Sequence, residues 1–148
     1  KLMKNMASFK EYKRRFGSFF KALVAAGVLE DGARKETYGT RCIAIDGHEC
    51  SSLAEQYIDN WLFMNGIPHE KEVEYPGHRG FRADWKVGKY FIEYYGLKGR
   101  EDYDAKIEIK RRIALENNIP LIEITPHDLT NLDSKLGHLK REYGRKWQ

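Results

Sequence analysis

The chain has 148 residues, of which 41% are hydrophobic and 32% are charged, with a formal net charge of +4 and a pI near 9.0. This balance is that of an ordinary globular domain, so it excludes a disordered or fibrous chain, and the basic charge only weakly favours a polyanionic partner. No apolar run approaches the roughly 18 residues that a membrane helix needs, and no signal peptide is evident, so we expect a cytoplasmic protein, at the nucleoid if its source is prokaryotic or viral.

Residues 1–30 are predicted to form a helical segment of the helix-turn-helix type. Phe9, Tyr12 and Phe16 recur at helical spacing, Gly17 breaks the pattern, and a second short helix follows. The first helix carries four basic residues that could contact DNA phosphates or could simply form a solvated face: Lys10, Lys13, Arg14 and Arg15.

Residues 31–50 are predicted to be a linker and a short strand. The stretch 30–40 is charged and has no apolar period, and RCIAIDGHEC then indicates a strand that ends in a turn at Asp46 and Gly47. Cys42, His48 and Cys50 could ligate a structural zinc ion, but no fourth ligand has the usual spacing. The alternative is a turn with buried thiols.

Residues 51–148 are predicted to form an α/β core. A helix over 51–66 begins at Ser51 or Ser52, with Glu55 in a capping-box position at the edge of the apolar stripe. Three strands with hairpin turns follow, then a helix over 100–118, a strand at PLIEIT, and a closing basic helix through residue 143 that includes Lys140 and Arg141.

The segment DWKVGKYFIEYYG predicts a hairpin with Gly88 and Lys89 as its two-residue turn. In that register Val87 pairs with Tyr90, and Asp84 lies directly opposite Glu93, with Cβ atoms roughly 5 Å apart. The other face is uniformly apolar, which supports the register independently: Ala83, Trp85, Val87, Tyr90, Ile92 and Tyr94.

Two opposed carboxylates repel each other unless a proton, basic side chains or a divalent cation intervenes. Arg82 and Lys86 lie on the same face as the two acids, so a structural cluster of ion pairs is one hypothesis. Glu55 as a third acid, together with lysines on the following helix, favours a Mg²⁺ or Mn²⁺ site for phosphodiester hydrolysis. Lys106 and Lys110 are one turn apart on one helix face, so spacing does not decide which of them would act.

RADW at 82–85 followed by EYYG at 93–96 resembles the active-site hairpin of the PD-(D/E)XK nuclease superfamily, with Glu55 at the upstream acidic position. That pattern places a lysine two residues after Glu93, where this chain has Tyr95. Some members carry the lysine on the following helix, and Tyr103 with Lys110 resembles that variant. The resemblance implies a restriction-endonuclease-like core with a mixed β-sheet flanked by helices, and it favours Lys110 over Lys106.

FGSFFKALVAAGVL at 16–29 resembles part of the homing endonuclease associated repeat, a small DNA-binding helical unit, with Phe19 where a tryptophan is usual. Together the resemblances imply a Mg²⁺-dependent DNA endonuclease of homing or mobile-element type. Asp84, Glu93 and Glu55 would hold the metal, Lys110 or Lys106 would stabilise the transition state, and Tyr95 and Tyr103 would shape the pocket. The alternatives are a non-catalytic DNA-binding module and a repair or defence nuclease of the same superfamily, and a homodimer is compatible with each.

Overall fold

The computed structural model describes residues 34–36, 39–96 and 99–145. The chain divides into two compact units, Lys1–Trp61 and Leu62–Gln148. The predicted helical segment 1–30, with Lys10, Lys13, Arg14 and Arg15, lies outside the described residues. Within the described ranges, no helix has both the length and the apolar character needed to cross a membrane.

The first unit contains a small antiparallel sheet where the sequence predicts a linker and one short strand. Its strands are β1 (Arg34–Glu36), β2 (Gly39–Ile43) and β3 (Glu49–Cys50), in the order β1-β2-β3. The predicted strand corresponds to β2, whereas β1 was not predicted because a short charged strand lacks an apolar period. Cys42 pairs with Cys50, and both pack with Ala44 and Leu53 in a small core.

Helix α1 (Leu53–Met64) has the N-terminus that the sequence predicts. The Glu55 backbone N–H donates to Ser52 Oγ at 3.1 Å, and the Glu55 carboxylate accepts from the Ser51 N–H and hydroxyl at 3.1 Å and 2.6 Å. The bond to Ser52 Oγ satisfies a donor of the first helical turn and confirms the predicted cap. The Glu55 carboxylate bonds Ser51 rather than the Ser52 N–H of a standard capping box, so that half of the predicted arrangement is shifted by one residue.

The second unit is mixed α/β, with a four-stranded sheet in the order β4-β5-β6-β7. Its strands are β4 (Glu70–Tyr75), β5 (His78–Val87), β6 (Tyr90–Tyr94) and β7 (Leu121–Ile124). The first three are antiparallel, while β6 and β7 are parallel and are joined through α2 (Glu101–Glu116), as a parallel crossover requires. A 3₁₀ turn (Asp128–Thr130) and α3 (Leu132–Tyr143) follow. This order of elements confirms the prediction.

Helices α2 and α3 cover opposite faces of this sheet. Phe91 packs with Ile113 and Ala114 of α2, whereas the ring of its neighbour Tyr90 lies 5.3 Å from the ring of His138 on α3. Because successive side chains of a strand point to opposite faces, the two helices lie on opposite sides of β6. Strand β6 is therefore covered on both faces, and a charged side chain in its middle enters the interior of the unit.

Candidate active site

The hairpin of β5 and β6 has the predicted register. The pairs are Trp85↔Ile92, Lys86↔Phe91 and Val87↔Tyr90. Gly88 has a φ of 53°, the left-handed value that the first position of a type II′ turn requires. The ladder described for this hairpin ends at Trp85 and Ile92, one residue short of Asp84 and Glu93.

The strands are irregular at Asp84. On β4, Glu72 interrupts the ladder between the pairs Lys71↔Trp85 and Val73↔Ala83, with a left-handed φ of 54°. On β6, the Tyr94 backbone N–H donates to Asp84 Oδ2 at 2.7 Å. A left-handed residue within a strand redirects the neighbouring side chains, and such backbone is frequent near active sites.

This irregularity changes the face on which Ala83 lies. The sequence predicts that Ala83 shares a face with Trp85, but Ala83 packs with Tyr75, Phe91 and Ile113 in the cluster under α2. Trp85 instead has the Lys71 ammonium 4.3 Å from its ring centroid. The prediction for Ala83 was wrong because it assumed strict alternation through Asp84.

Glu93 is the buried acid of the site, with only 2% of its surface exposed. The Tyr75 hydroxyl donates to Oε1 at 2.9 Å, and Lys110 Nζ lies 2.9 Å from both carboxylate oxygens. Burial raises the pKa of Glu93, and the Lys110 charge, the Tyr75 hydroxyl and a hydrogen bond with Asp84 oppose this rise. The structure therefore brings together Asp84, Glu93 and Lys110.

Lys110 is selected over Lys106 by the orientation of α2. The buried residues of this helix include Ile107 and Ile113, and Lys110 is three residues from each, within the stripe that faces the sheet. Its side chain is 20% exposed and reaches Glu93, whereas Lys106 is exposed to solvent. The assignment of the catalytic lysine remains a prediction, but only Lys110 of this pair contacts the buried acid.

Tyr95 occupies the strand position at which the nuclease pattern has a lysine. Its ring lies 6.5 Å from that of Tyr103, and the Tyr103 hydroxyl donates to the Tyr94 carbonyl at 3.2 Å. Burial, followed by the charges of Glu93 and Glu123, raises the pKa of Tyr95, so its hydroxyl stays neutral. The two rings pack edge to face at the end of β6, the strand that carries Glu93.

Three contributors to the site were missed by the sequence reasoning: Tyr75, Arg111 and Glu123. In the parallel register Glu123 lies beside Glu93, and Arg111 bonds Glu123 through Nε at 2.9 Å and Nη2 at 2.7 Å. Tyr75 reaches Glu93 from β4, two strands away in the sheet. No local sequence signal marks these contacts, because they depend on the strand order and on the parallel crossover.

Glu55 lies in the first unit, and Asp84 and Glu93 lie in the second. Its carboxylate is hydrogen-bonded at the N-terminus of α1, as described above. Capping accounts for its position without a metal. A role for Glu55 as a metal ligand stays a prediction.

Two of the predicted DNA-contacting residues lie on α3. Lys140 forms an ion pair with Asp133 two turns earlier, and Arg141 is exposed to solvent. A lysine held by an intrahelical carboxylate gives up part of that contact when it meets a phosphate. Arg141 is therefore the better placed of the two for a phosphate contact.

The cysteines and His48 have different partners from those of the predicted zinc site. The Cys42 thiol is directed at the Ser52 carbonyl at 3.3 Å, and both cysteines are buried. His48 Nδ1 instead lies 3.0 Å from Asp46 Oδ2 and 3.1 Å from Asp59 Oδ2. In the part of the chain that the structure describes, the potential metal-binding group that includes His48 contains these aspartates rather than the thiols.

No protein-family model matches the chain, and neither a curated protein nor a solved structure matches it.

Proposed function

We propose that this chain is a metal-dependent DNA endonuclease with a restriction-endonuclease-like core. The observation that carries the proposal is a buried carboxylate, Glu93, held between Lys110 and Tyr75 beside the carboxylate of Asp84. Buried ion pairs contribute little net stability, because desolvation of both charges offsets their attraction. A perturbed acid next to a second acid and a lysine is more typical of a functional site.

The side chains fit a hard divalent cation. Asp84 and Glu93 offer oxygen ligands from adjacent strands, and oxygen donors are those that Mg²⁺ and Mn²⁺ prefer. The raised pKa of Glu93 reflects an environment that disfavours its isolated negative charge, which is the condition that a bound cation would relieve. When bound, the metal would lower the pKa of a water molecule and offset charge on a phosphate oxygen.

The remaining side chains have separate tasks in this proposal. Lys110 would donate to a non-bridging phosphate oxygen and stabilise the charge that develops there. Tyr75, whose pKa is raised by its burial and by the charge of Glu93, remains a neutral donor that orients the Glu93 carboxylate. Tyr95 and Tyr103 would limit the access of bulk water.

DNA is the proposed substrate because of the basic residues. The net charge is +4, and the candidate phosphate contacts are Lys10, Lys13, Arg14, Arg15, Lys140 and Arg141. Phosphate contacts position a protein on DNA without reading its sequence, so the type of nuclease is a finer proposal. We favour a homing or mobile-element nuclease because of the likeness of residues 16–29 to a homing endonuclease associated repeat, with a repair or defence nuclease as the alternative.

A non-catalytic DNA-binding module is the second candidate. Both oxygens of Glu93 already have hydrogen-bond partners, Tyr75 and Lys110, which is what a purely structural buried pair would show. This candidate retains the basic residues and the fold but predicts no metal-dependent cleavage.

Cleavage of supercoiled and linear DNA in Mg²⁺, Mn²⁺ or chelator would test the proposal. We expect nicked or linear products only with metal, and losses of at least about 10²-fold for Asp84→Asn, Glu93→Gln and Lys110→Met. Lys106→Met is the matched control, because it removes the same charge from the same helix one turn away. DNA binding without cleavage in any metal would favour the non-catalytic module, and full activity in Lys110→Met would refute the assigned lysine.

A further inference from the structure

A second group of metal-binding side chains lies within the first unit: Asp46, His48 and Asp59. Asp46 and His48 lie on the turn between β2 and β3, and Asp59 lies on α1. One ligand atom from each lies within 4.8 Å of the others. The group shares no residue with the pair Asp84 and Glu93, so the inference does not rest on the proposed nuclease function.

The turn and the helix that carry this group are held together by their own hydrogen bonds. Asn60 Oδ1 accepts from the Ile45 backbone N–H at 2.8 Å, and Gln56 Nε2 donates to the Ile43 carbonyl at 2.8 Å. Within the turn, the His48 N–H donates to Asp46 Oδ1 at 3.1 Å. Rigid backbone positions on both elements make the arrangement of the ligands preorganised.

The distances within the group fit a tetrahedral ion. His48 Nδ1 lies 3.0 Å from Asp46 Oδ2 and 3.1 Å from Asp59 Oδ2. Bonds of about 2.0–2.2 Å in tetrahedral zinc sites separate neighbouring ligand atoms by about 3.3–3.6 Å, so small side-chain movements would suffice. In contrast, a single N–H at Nδ1 can make only one strong hydrogen bond, although two carboxylates face it.

The burial of Asp59 is compatible with a bound cation. Its side chain is 0% exposed, and a divalent ion beside it would offset the cost of burying a carboxylate. A divalent ion bound by two carboxylates and a neutral imidazole forms a site without net charge. Imidazole nitrogen favours Zn²⁺ over Mg²⁺, which prefers oxygen ligands alone.

We infer that Asp46, His48 and Asp59 supply three of the four ligands of a Zn²⁺ ion, with water at the fourth position, and that this ion fastens the β2–β3 turn to α1. The ion acts as a structural crosslink, and its binding free energy adds to the stability of the folded chain. Cys42 and Cys50 are not ligands of this ion. A charge-assisted hydrogen bond between His48 and Asp59 without metal is the competing explanation.

Calorimetric titration of the whole chain with Zn²⁺, in a large excess of Mg²⁺ that occupies oxygen-only sites, tests this inference. We expect about one Zn²⁺ per chain, with the affinity lowered more than about a hundredfold in His48→Ala and Asp59→Asn. The loss should be this large because even partners that only orient metal ligands contribute about 10–100-fold. Cys42→Ser and Glu93→Gln should bind Zn²⁺ as the unmodified chain does, although Glu93→Gln should not cleave DNA.

A thermal melt provides the second readout. Zn²⁺ should raise the Tm of the unmodified chain and of Cys42→Ser, and should leave the Tm of His48→Ala unchanged. His48 is part-exposed, so His48→Ala decides the matter if Asp59→Asn does not fold. Absence of Zn²⁺ binding to the unmodified chain, loss of binding in Cys42→Ser, or full affinity in His48→Ala would each overturn the inference.

Discussion

Replacing Lys110 and replacing Glu93, its partner in the ion pair, should change the free energy of unfolding by very different amounts. Lys110→Met leaves the Glu93 carboxylate buried without its cation, whereas Glu93→Gln leaves an amide that still accepts from Tyr75. The Lys110 side chain is 20% exposed, so its ammonium can turn towards water once the carboxylate is gone. We therefore expect Lys110→Met to be the more destabilising substitution.

The cost of Lys110→Met is limited by protonation of Glu93. A glutamate with an ordinary pKa of 4.5 takes up a proton at about pH 7 at a cost of about 3.5 kcal/mol, since each pH unit corresponds to about 1.4 kcal/mol. We expect a loss of about 2–3.5 kcal/mol in the free energy of unfolding at about pH 7 for Lys110→Met. For Glu93→Gln we expect a change within about 1 kcal/mol.

The pH dependence has a definite sign. The folded-state pKa of Glu93 is raised, so its contribution to the free energy of unfolding is greatest below the unfolded pKa and declines as the pH rises through the folded pKa. Lys110 opposes this rise in pKa, so Lys110→Met moves the decline towards higher pH. The defect of Lys110→Met should accordingly shrink as the pH is lowered towards about 4.5, and Glu93→Gln should abolish this dependence.

Urea unfolding followed by circular dichroism between about pH 5 and about pH 8 would measure these effects. The double variant, Glu93→Gln with Lys110→Met, should be about as stable as Glu93→Gln alone, because no buried charge remains. The reasoning fails if the defect of Lys110→Met does not change with pH. It also fails if Glu93→Gln costs about 3 kcal/mol or more, which would make the pair a stabilising contact.

Three other substitutions test separate parts of the structure. Ser52→Ala should lower the free energy of unfolding by about 1 kcal/mol, because the helix loses its cap. Glu55→Gln keeps a capping side chain, so its stability should not change. Lost cleavage in Glu55→Gln would then identify Glu55 as a metal ligand, and unchanged cleavage would remove it from the site. Gly88→Ala should cost more than about 1 kcal/mol, because φ is 53° and a Cβ would collide with the Tyr143 ring; a melting temperature equal to that of the unmodified chain would contradict the turn geometry.

The hairpin was predictable because its determinants are local. Gly88 and Lys89 set the turn, and the alternation of apolar residues fixed the register that the pairs from Trp85 to Ile92 confirm. The irregularity at Asp84 was not predictable, because the left-handed Glu72 is on the adjacent strand and no glycine marks it. Local sequence patterns therefore predicted where Asp84 and Glu93 lie on the hairpin. They did not predict that Ala83 lies on a different face from Trp85.

Contacts between residues that are far apart in the sequence could not be predicted from local patterns. His48 has the spacing of a zinc ligand with Cys42 and Cys50, yet its ring meets Asp59, eleven residues later on α1. A histidine and an aspartate on different elements have no periodic signature, because their meeting depends on how the turn packs on the helix. The same limit applies to Tyr75 and Glu93, which are eighteen residues apart in sequence.

Two ion pairs between α2 and the sheet hold Lys110 in position against Glu93. Glu93 and Glu123 are side by side on parallel strands, and the successive residues Lys110 and Arg111 each bond one of them. A rotation or sliding of α2 would have to break both ion pairs together. Arg111 also lies over the ring of Tyr95, with 5.9 Å between its guanidinium carbon and the ring centroid. Tyr95 thus contacts the helix that carries Lys110.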